Sequence, residues 1–90
     1  MCYKIARVKI FEKDFKKLKF SDEHYTKFII YISKLAQKET LPPEAKDHSL
    51  KGNYQGFREF HISGDLLVIY KIVDNKLVLV RIGSHSELFK

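Results

Sequence analysis

Leu66-Leu67-Val68-Ile69-Tyr70 is a nearly continuous apolar run, and its reading decides the fold. A short run of this kind fits a central strand covered on both faces. Around it, residues 57–62, 65–73 and 77–82 are rich in aromatic and β-branched types and read as three consecutive strands. Ser63-Gly64 and Asp74-Asn75 separate them and have the composition of hairpin turns.

Working outward toward the start of the chain, apolar and charged residues alternate in Ala6-Arg7-Val8-Lys9-Ile10, which predicts a strand with one buried side. Phe11, Phe15 and Leu18 then follow at helical spacing, predicting a short amphipathic helix over residues 11–18. A longer helix is predicted from Ser21, an N-cap residue followed by Asp22 and Glu23 in the first turn. Its expected buried stripe is Tyr25, Phe28, Ile29, Ile32, Leu35 and Ala36, and Leu41-Pro42-Pro43 is expected to end it. Residues 44–56 read as a loop. The order β-α-α-β-β-β predicts an α+β fold with two helices packed on one face of a small, largely antiparallel sheet, the other face being left for function.

The 90 residues fit a single domain over 1–90 with one modest core. A composition 44% hydrophobic and 31% charged is that of a folded protein, not a disordered tail. The one cysteine, Cys2, excludes an internal disulfide and a thiolate pair for zinc. The opening residues lack an apolar signal core, and no run approaches the roughly 20 apolar residues of a membrane span. The expected location is the cytoplasm, with no membrane partner. Net charge is +6, and residues 1–38 hold ten Lys/Arg against four Asp/Glu, while residues 39–90 hold seven of each. The whole surplus lies in the first half, where it either solvates helix faces or forms a face for phosphate or an acidic partner. Lys13, Lys16 and Lys17 on the first helix are the candidate docking lysines.

Chemistry-bearing residues concentrate in the neutral half: His48, Glu59, His61, Asp65, Arg81 and His85. Imidazole exchanges protons near neutrality, and several histidines with carboxylates and an arginine suggest proton transfer on an anionic substrate. Glu59 and His61, two apart on a strand, share a face. Asp65 is less determined: a two-residue turn at Ser63-Gly64 puts it opposite the His61 face, whereas a three-residue turn pairing His61 with Asp65 brings both together. Each residue also has a structural reading, as a turn closer for His48, an exposed strand residue for His61, a terminal cap for His85 and an ion-pair partner for Arg81. No two histidines stand at the close spacing of a metal-ligand pair, so no metal is expected.

Five stretches in order, Phe-x-Lys-Asp-Phe-Lys-Lys-Leu from Phe11, Lys-Asp-His-x-Leu-x-Gly from Lys46, Phe-Arg-Glu-x-His from Phe57, Leu-Val-Ile-Tyr-Lys from Leu67 and Arg-x-Gly-x-His-x-x-Leu-Phe from Arg81, together resemble the YafQ-like branch of the RelE/ParE toxin superfamily. The resemblance covers nearly the whole chain. It implies the toxin of a type II toxin–antitoxin pair, a metal-independent and cofactor-free mRNA endoribonuclease that stops translation, in many members at the ribosomal A site. It further implies catalytic roles for His48, His61, Asp65 and His85, with Glu59, Arg81 and Phe89 supporting. Such chemistry needs a base for the 2′-hydroxyl, an acid for the leaving 5′-oxygen and a cation for the charge developing at phosphorus. Arg81 suits the last role, Phe89 can stack on a base, and His85 is the expected acid, with His48 or His61 the base and Asp65 orienting one of them. The basic surplus implies an acidic antitoxin. Two other readings remain: a ParE-like gyrase inhibitor without catalysis, and a non-catalytic RNA- or ribosome-binding protein.

Overall fold

A computed structural model describes residues 2–89 of the chain. Five strands form one sheet in the order β1-β5-β4-β3-β2: β1 is Lys4–Arg7, β2 His48–Ser49, β3 Arg58–His61, β4 Leu67–Val73 and β5 Lys76–Gly83. β1 runs parallel to β5 and every other pairing is antiparallel. The helices are α1 (Lys9–Lys17), α2 (Asp22–Ala36) and a single turn, α3 (His85–Leu88). The fold is α+β, as the strand and helix patterns imply.

From Leu67 onward the central run behaves as read, while Leu66 precedes the strand and is only partly buried. Leu67, Val68, Ile69 and Tyr70 are each at most 1% exposed. Val68 and Tyr70 join Phe60, Ile62, Leu77, Leu79 and Ile82 in a core with Phe11 of α1 and Phe28, Tyr31, Ile32 and Leu35 of α2. Leu67 and Ile69 point the other way, into a second cluster with Leu88 that is flanked by Leu50, Tyr54, Phe57, Val80 and Phe89. The face opposite the long helices is therefore not free: the loop after β2 and the C-terminal turn cover its middle, because exposing Leu67 and Ile69 would leave apolar surface in water. Only its margins remain for function.

The β4–β5 turn has Asp74 and Asn75 both at positive φ, 52° and 62°, the two-residue geometry that matches strand twist. Other local expectations shift. β1 starts two residues and ends three residues earlier than its alternating pattern suggests, because the amide of Val8 makes the last bond to β5 at Leu79 and the helix then begins at Lys9. Lys9 and Ile10 are consequently exposed helix residues. α2 starts as expected, with the Ser21 hydroxyl accepting from the His24 amide, but ends at Ala36, well before the prolines. Lys38 at φ 64° turns the chain away first. Tyr25 and Ile29 are about half exposed (48% and 47%), and Tyr31 takes the buried place, since the sheet lies under positions 28, 31, 32 and 35.

Besides short 3-10 turns at Pro43–Ala45 and Gly52–Tyr54, β2 and α3 lie outside the sequence reading. β2 pairs with β3 through His48↔Glu59 and Ser49↔Arg58, making a strand of a segment read as loop. α3 is held by a capping box in which the Ser84 side chain accepts from the Glu87 amide and Glu87 accepts from the Ser84 amide. The Ser-x-x-Glu signature was present in the sequence.

Asp47 anchors the approach to β2. Its Oδ1 accepts from the Tyr70 hydroxyl at 2.6 Å and from Nε of Arg58 at 3.2 Å. Burial, then the bond to Asp47, raise the Tyr70 phenol far above its ordinary 10.0. A raised folded-state pKa means that this stabilisation is complete below about pH 10 and is lost as pH climbs beyond it. Tyr70→Phe is expected to cost about 1–3 kcal/mol at neutral pH. It should also remove part of the alkaline decline in a urea-unfolding series across pH 8–11.

Candidate functional site

Strand register gathers the polar residues. His48, Glu59, Ile69 and Arg81 are successive partners across β2, β3, β4 and β5, so they form one row on one face. The next row on that face is His61, Leu67 and Gly83. A bulge decides the place of Arg81: Tyr70 pairs with Leu79 and Ile69 with Arg81, leaving Val80 unpaired. That extra residue lets Leu79 and Ile82 both enter the helix-side core while Arg81 turns to the row of Glu59.

At the β2–β3 margin two imidazoles share one carboxylate. Nε2 of His48 lies 3.4 Å and Nε2 of His61 3.6 Å from Oε2 of Glu59. The ring centroids are 6.5 Å apart. Glu59 is 4% exposed, and its Oε1 has no hydrogen-bond partner, nor has the buried Nδ1 of His61. Nδ1 of His48 lies 2.6 Å from the carbonyl of Lys46. A carbonyl only accepts, so that nitrogen carries the proton and Nε2 is the atom free to take one. A proton arriving there is held directly against Glu59.

The opposite margin is built by β5 and α3. His85 begins α3, is exposed, and lies with its ring centroid 4.7 Å from that of Phe89. Phe89 rests in turn on Tyr54, 5.4 Å away between centroids. Asp65 joins this side: its Oδ1 faces the His85 amide at 3.4 Å. Neither turn register anticipated for it occurs. His61 pairs with Leu67, the amides of Ile62 and Ser63 both bond the Leu66 carbonyl, and Asp65 stays in the loop and outside the ladder. Two strand spacings, about 10 Å, separate His61 from Gly83, with Leu67 as the floor between.

Arg81 differs from its expected state as an open phosphate fork. Its Nε and Nη2 donate to Asp14 of α1 at 2.7 and 3.2 Å. Asp14 also accepts from the Ile82 amide, where β5 has run past the end of β1 and needs a partner. The Asp14 bond raises the guanidinium pKa further, against burial, so Arg81 is a permanent cation whose Nε edge is already occupied. Asp14 lies within the Phe-x-Lys-Asp-Phe-Lys-Lys-Leu stretch from Phe11, but neither its pairing with Arg81 nor the place of Tyr54 beside Phe89 was legible there, because both partners are remote in sequence. Lys13, Lys16 and Lys17 are all exposed on α1. Among the described residues no group of three or more His, Cys, Asp or Glu is arranged to hold a metal ion.

Residues 3–90 match the family model described as the bacterial toxin of a type II toxin–antitoxin system, YafQ. The chain belongs to the YafQ toxin family. Within that family it is 41% identical over 61 residues to the mRNA interferase toxin YafQ of Escherichia coli strain K12, a match spanning 66% of each protein. A metal-bound toxin from Helicobacter pylori is 42% identical and superposes with a TM-score of 0.85, covering 97% of this chain and 99% of that one. The E. coli DinJ–YafQ toxin–antitoxin complex contains a chain 29% identical, with a TM-score of 0.81 and full coverage of both. The YafQ fold thus extends over essentially the whole chain, including the two margins that hold the histidines.

Proposed function

We propose that this YafQ-family toxin is an mRNA endoribonuclease that cleaves by general acid–base catalysis across the Leu67–Ile69 floor. The observation that carries the reading is the placement of proton-transfer groups on both sides of one gap, His48 and His61 on the β2–β3 side and His85 on the β5–α3 side. In-line attack of a 2′-oxygen on phosphorus puts nucleophile and leaving group on opposite sides. Base and acid must therefore come from opposite walls.

In this reading Nε2 of His48 takes the 2′-hydroxyl proton and Glu59 faces the imidazolium that forms. His85 protonates the departing 5′-oxygen, and Asp65, accepting from the His85 amide, fixes the start of α3. His61 lends a second donor to the phosphate, the N–H groups of Arg81 not bonded to Asp14 add positive charge, and Phe89 offers a stacking face. The product is a 2′,3′-cyclic phosphate on one fragment and a 5′-hydroxyl on the other. Substrate is met in the cytoplasm, on the ribosome or free, and a cognate acidic antitoxin masks the basic toxin, as DinJ accompanies YafQ in the E. coli complex.

Cleavage is expected to persist in excess EDTA, with ribosome integrity controlled separately, and the ends to be cyclic phosphate or 3′-phosphate and 5′-hydroxyl. The metal-bound H. pylori relative makes the chelator arm decisive. Fragments with 5′-phosphate, or activity restored only by an added divalent ion, would replace side-chain catalysis with a metal-activated water.

A further inference from the structure

A polar cavity of about 340 Å³ opens beside His61, between α2 and the β3–β4 loop. Its lining includes Lys27 and Tyr31 of α2, Lys46, His61, Ser63 and Gly64. We propose that this cavity is a nucleotide subsite, which takes the phosphate and sugar of an RNA residue adjoining the scissile bond. The proposal rests on the endoribonuclease reading above and adds residues that neither the catalytic cluster nor the basic face of α1 includes.

Three features support it. First, two lysines from separate elements face one cavity, and neither takes part in any ion pair among the described residues. Glu44 is the only carboxylate in the lining, so positive charge predominates and favours a phosphate. Arg81 shows the contrast, since Asp14 already occupies its Nε edge. Secondly, the volume lies at the small end of ligand sites, suited to one nucleotide and not to a folded partner. Thirdly, the cavity shares residues with the histidine cluster. His61 lines it while its Nε2 faces Glu59, and Lys46 lines it while its carbonyl holds Nδ1 of His48. Lys46 holds this position at φ 50°, where the turn presents its carbonyl to His48. A strand lying in the cavity thereby adjoins the β2–β3 wall that carries His48 and His61.

The test uses the full chain and a fully 2′-O-methylated single-stranded RNA hexamer, which cannot be cleaved because it lacks the nucleophile. The parent is expected to bind it, and Lys27→Gln/Lys46→Gln to bind it about 10- to 100-fold more weakly. The slope of log Kd against log salt should fall by about 0.7 for each lysine that contacts a phosphate. On unmodified RNA the single variant Lys27→Gln, which leaves the Lys46 turn and its carbonyl bond to His48 untouched, should show a raised KM with kcat nearly unchanged. Parent-like binding and salt slope in the folded double variant, or no hexamer binding by the parent, would overturn the subsite. Should the parent bind the hexamer through these lysines yet leave every unmodified RNA intact, with and without ribosomes, the subsite stands and the endoribonuclease reading falls.

Discussion

His85→Ala is expected to fold like the parent and to cleave RNA about 10²–10⁴-fold more slowly, the usual contribution of a positioned general acid or base. Stability should barely change, because His85 is exposed, its backbone stays capped by Ser84 and Glu87, and its ring contact is with Phe89 at the surface. Single-turnover rates at saturating RNA, read beside thermal unfolding, separate the two effects. If His85 protonates the leaving oxygen, RNA bearing a 5′-thio leaving group, which departs without a proton, should recover most of the loss. An unchanged rate in a folded variant would remove His85 from the reaction.

The second large effect is expected at Glu59. A carboxylate that is 4% exposed, with one oxygen unpartnered and the other at 3.4 and 3.6 Å from two imidazoles, is a poor stabilising arrangement. Burying charge is costly, and contacts longer than the roughly 2.7–3.2 Å of a good N–H···O bond compensate incompletely. Glu59→Leu should therefore melt no lower than the parent, because the carboxylate's burial is poorly compensated and neither imidazole loses a good hydrogen bond. The same substitution should slow cleavage about 10²–10⁴-fold, since the proton taken by His48 loses the carboxylate that faces it. Calorimetry and single-turnover kinetics on one preparation check both. A loss of several kcal/mol with a parent-like rate would make Glu59 structural and move the catalytic centre toward the β5–α3 wall. The opposed directions follow from one cause, an ionic group placed for chemistry at the expense of packing.

The family motifs in the sequence already named His48, His61 and His85, because residue type at fixed order survives without knowledge of the fold. Their separation into two walls was not legible. It depends on the row His48–Glu59–Ile69–Arg81 and the neighbouring row His61–Leu67–Gly83, and register between strands distant in sequence is a property of the pairing, not of either strand. Asp65 shows the limit well. Two turn lengths were compatible with Ser63-Gly64, and the chain uses a loop that neither described, placing the carboxylate near His85 instead of His61.

By itself the sequence determined the α+β class, the buried central strand, the start of the long helix and the Asp74-Asn75 turn, since each depends on local periodicity, capping or left-handed backbone preference. Only the tertiary structure decided that β1 is parallel to β5, that the bulge at Val80 turns Arg81 into the row of His48 and Glu59, and that Asp14, 67 residues away, occupies the Nε edge of that arginine. It alone decided that the second face of the sheet is largely covered. Those outcomes depend on where apolar surface and unpaired backbone groups find partners once the chain has collapsed, and such partners are remote in sequence and carry no local signature.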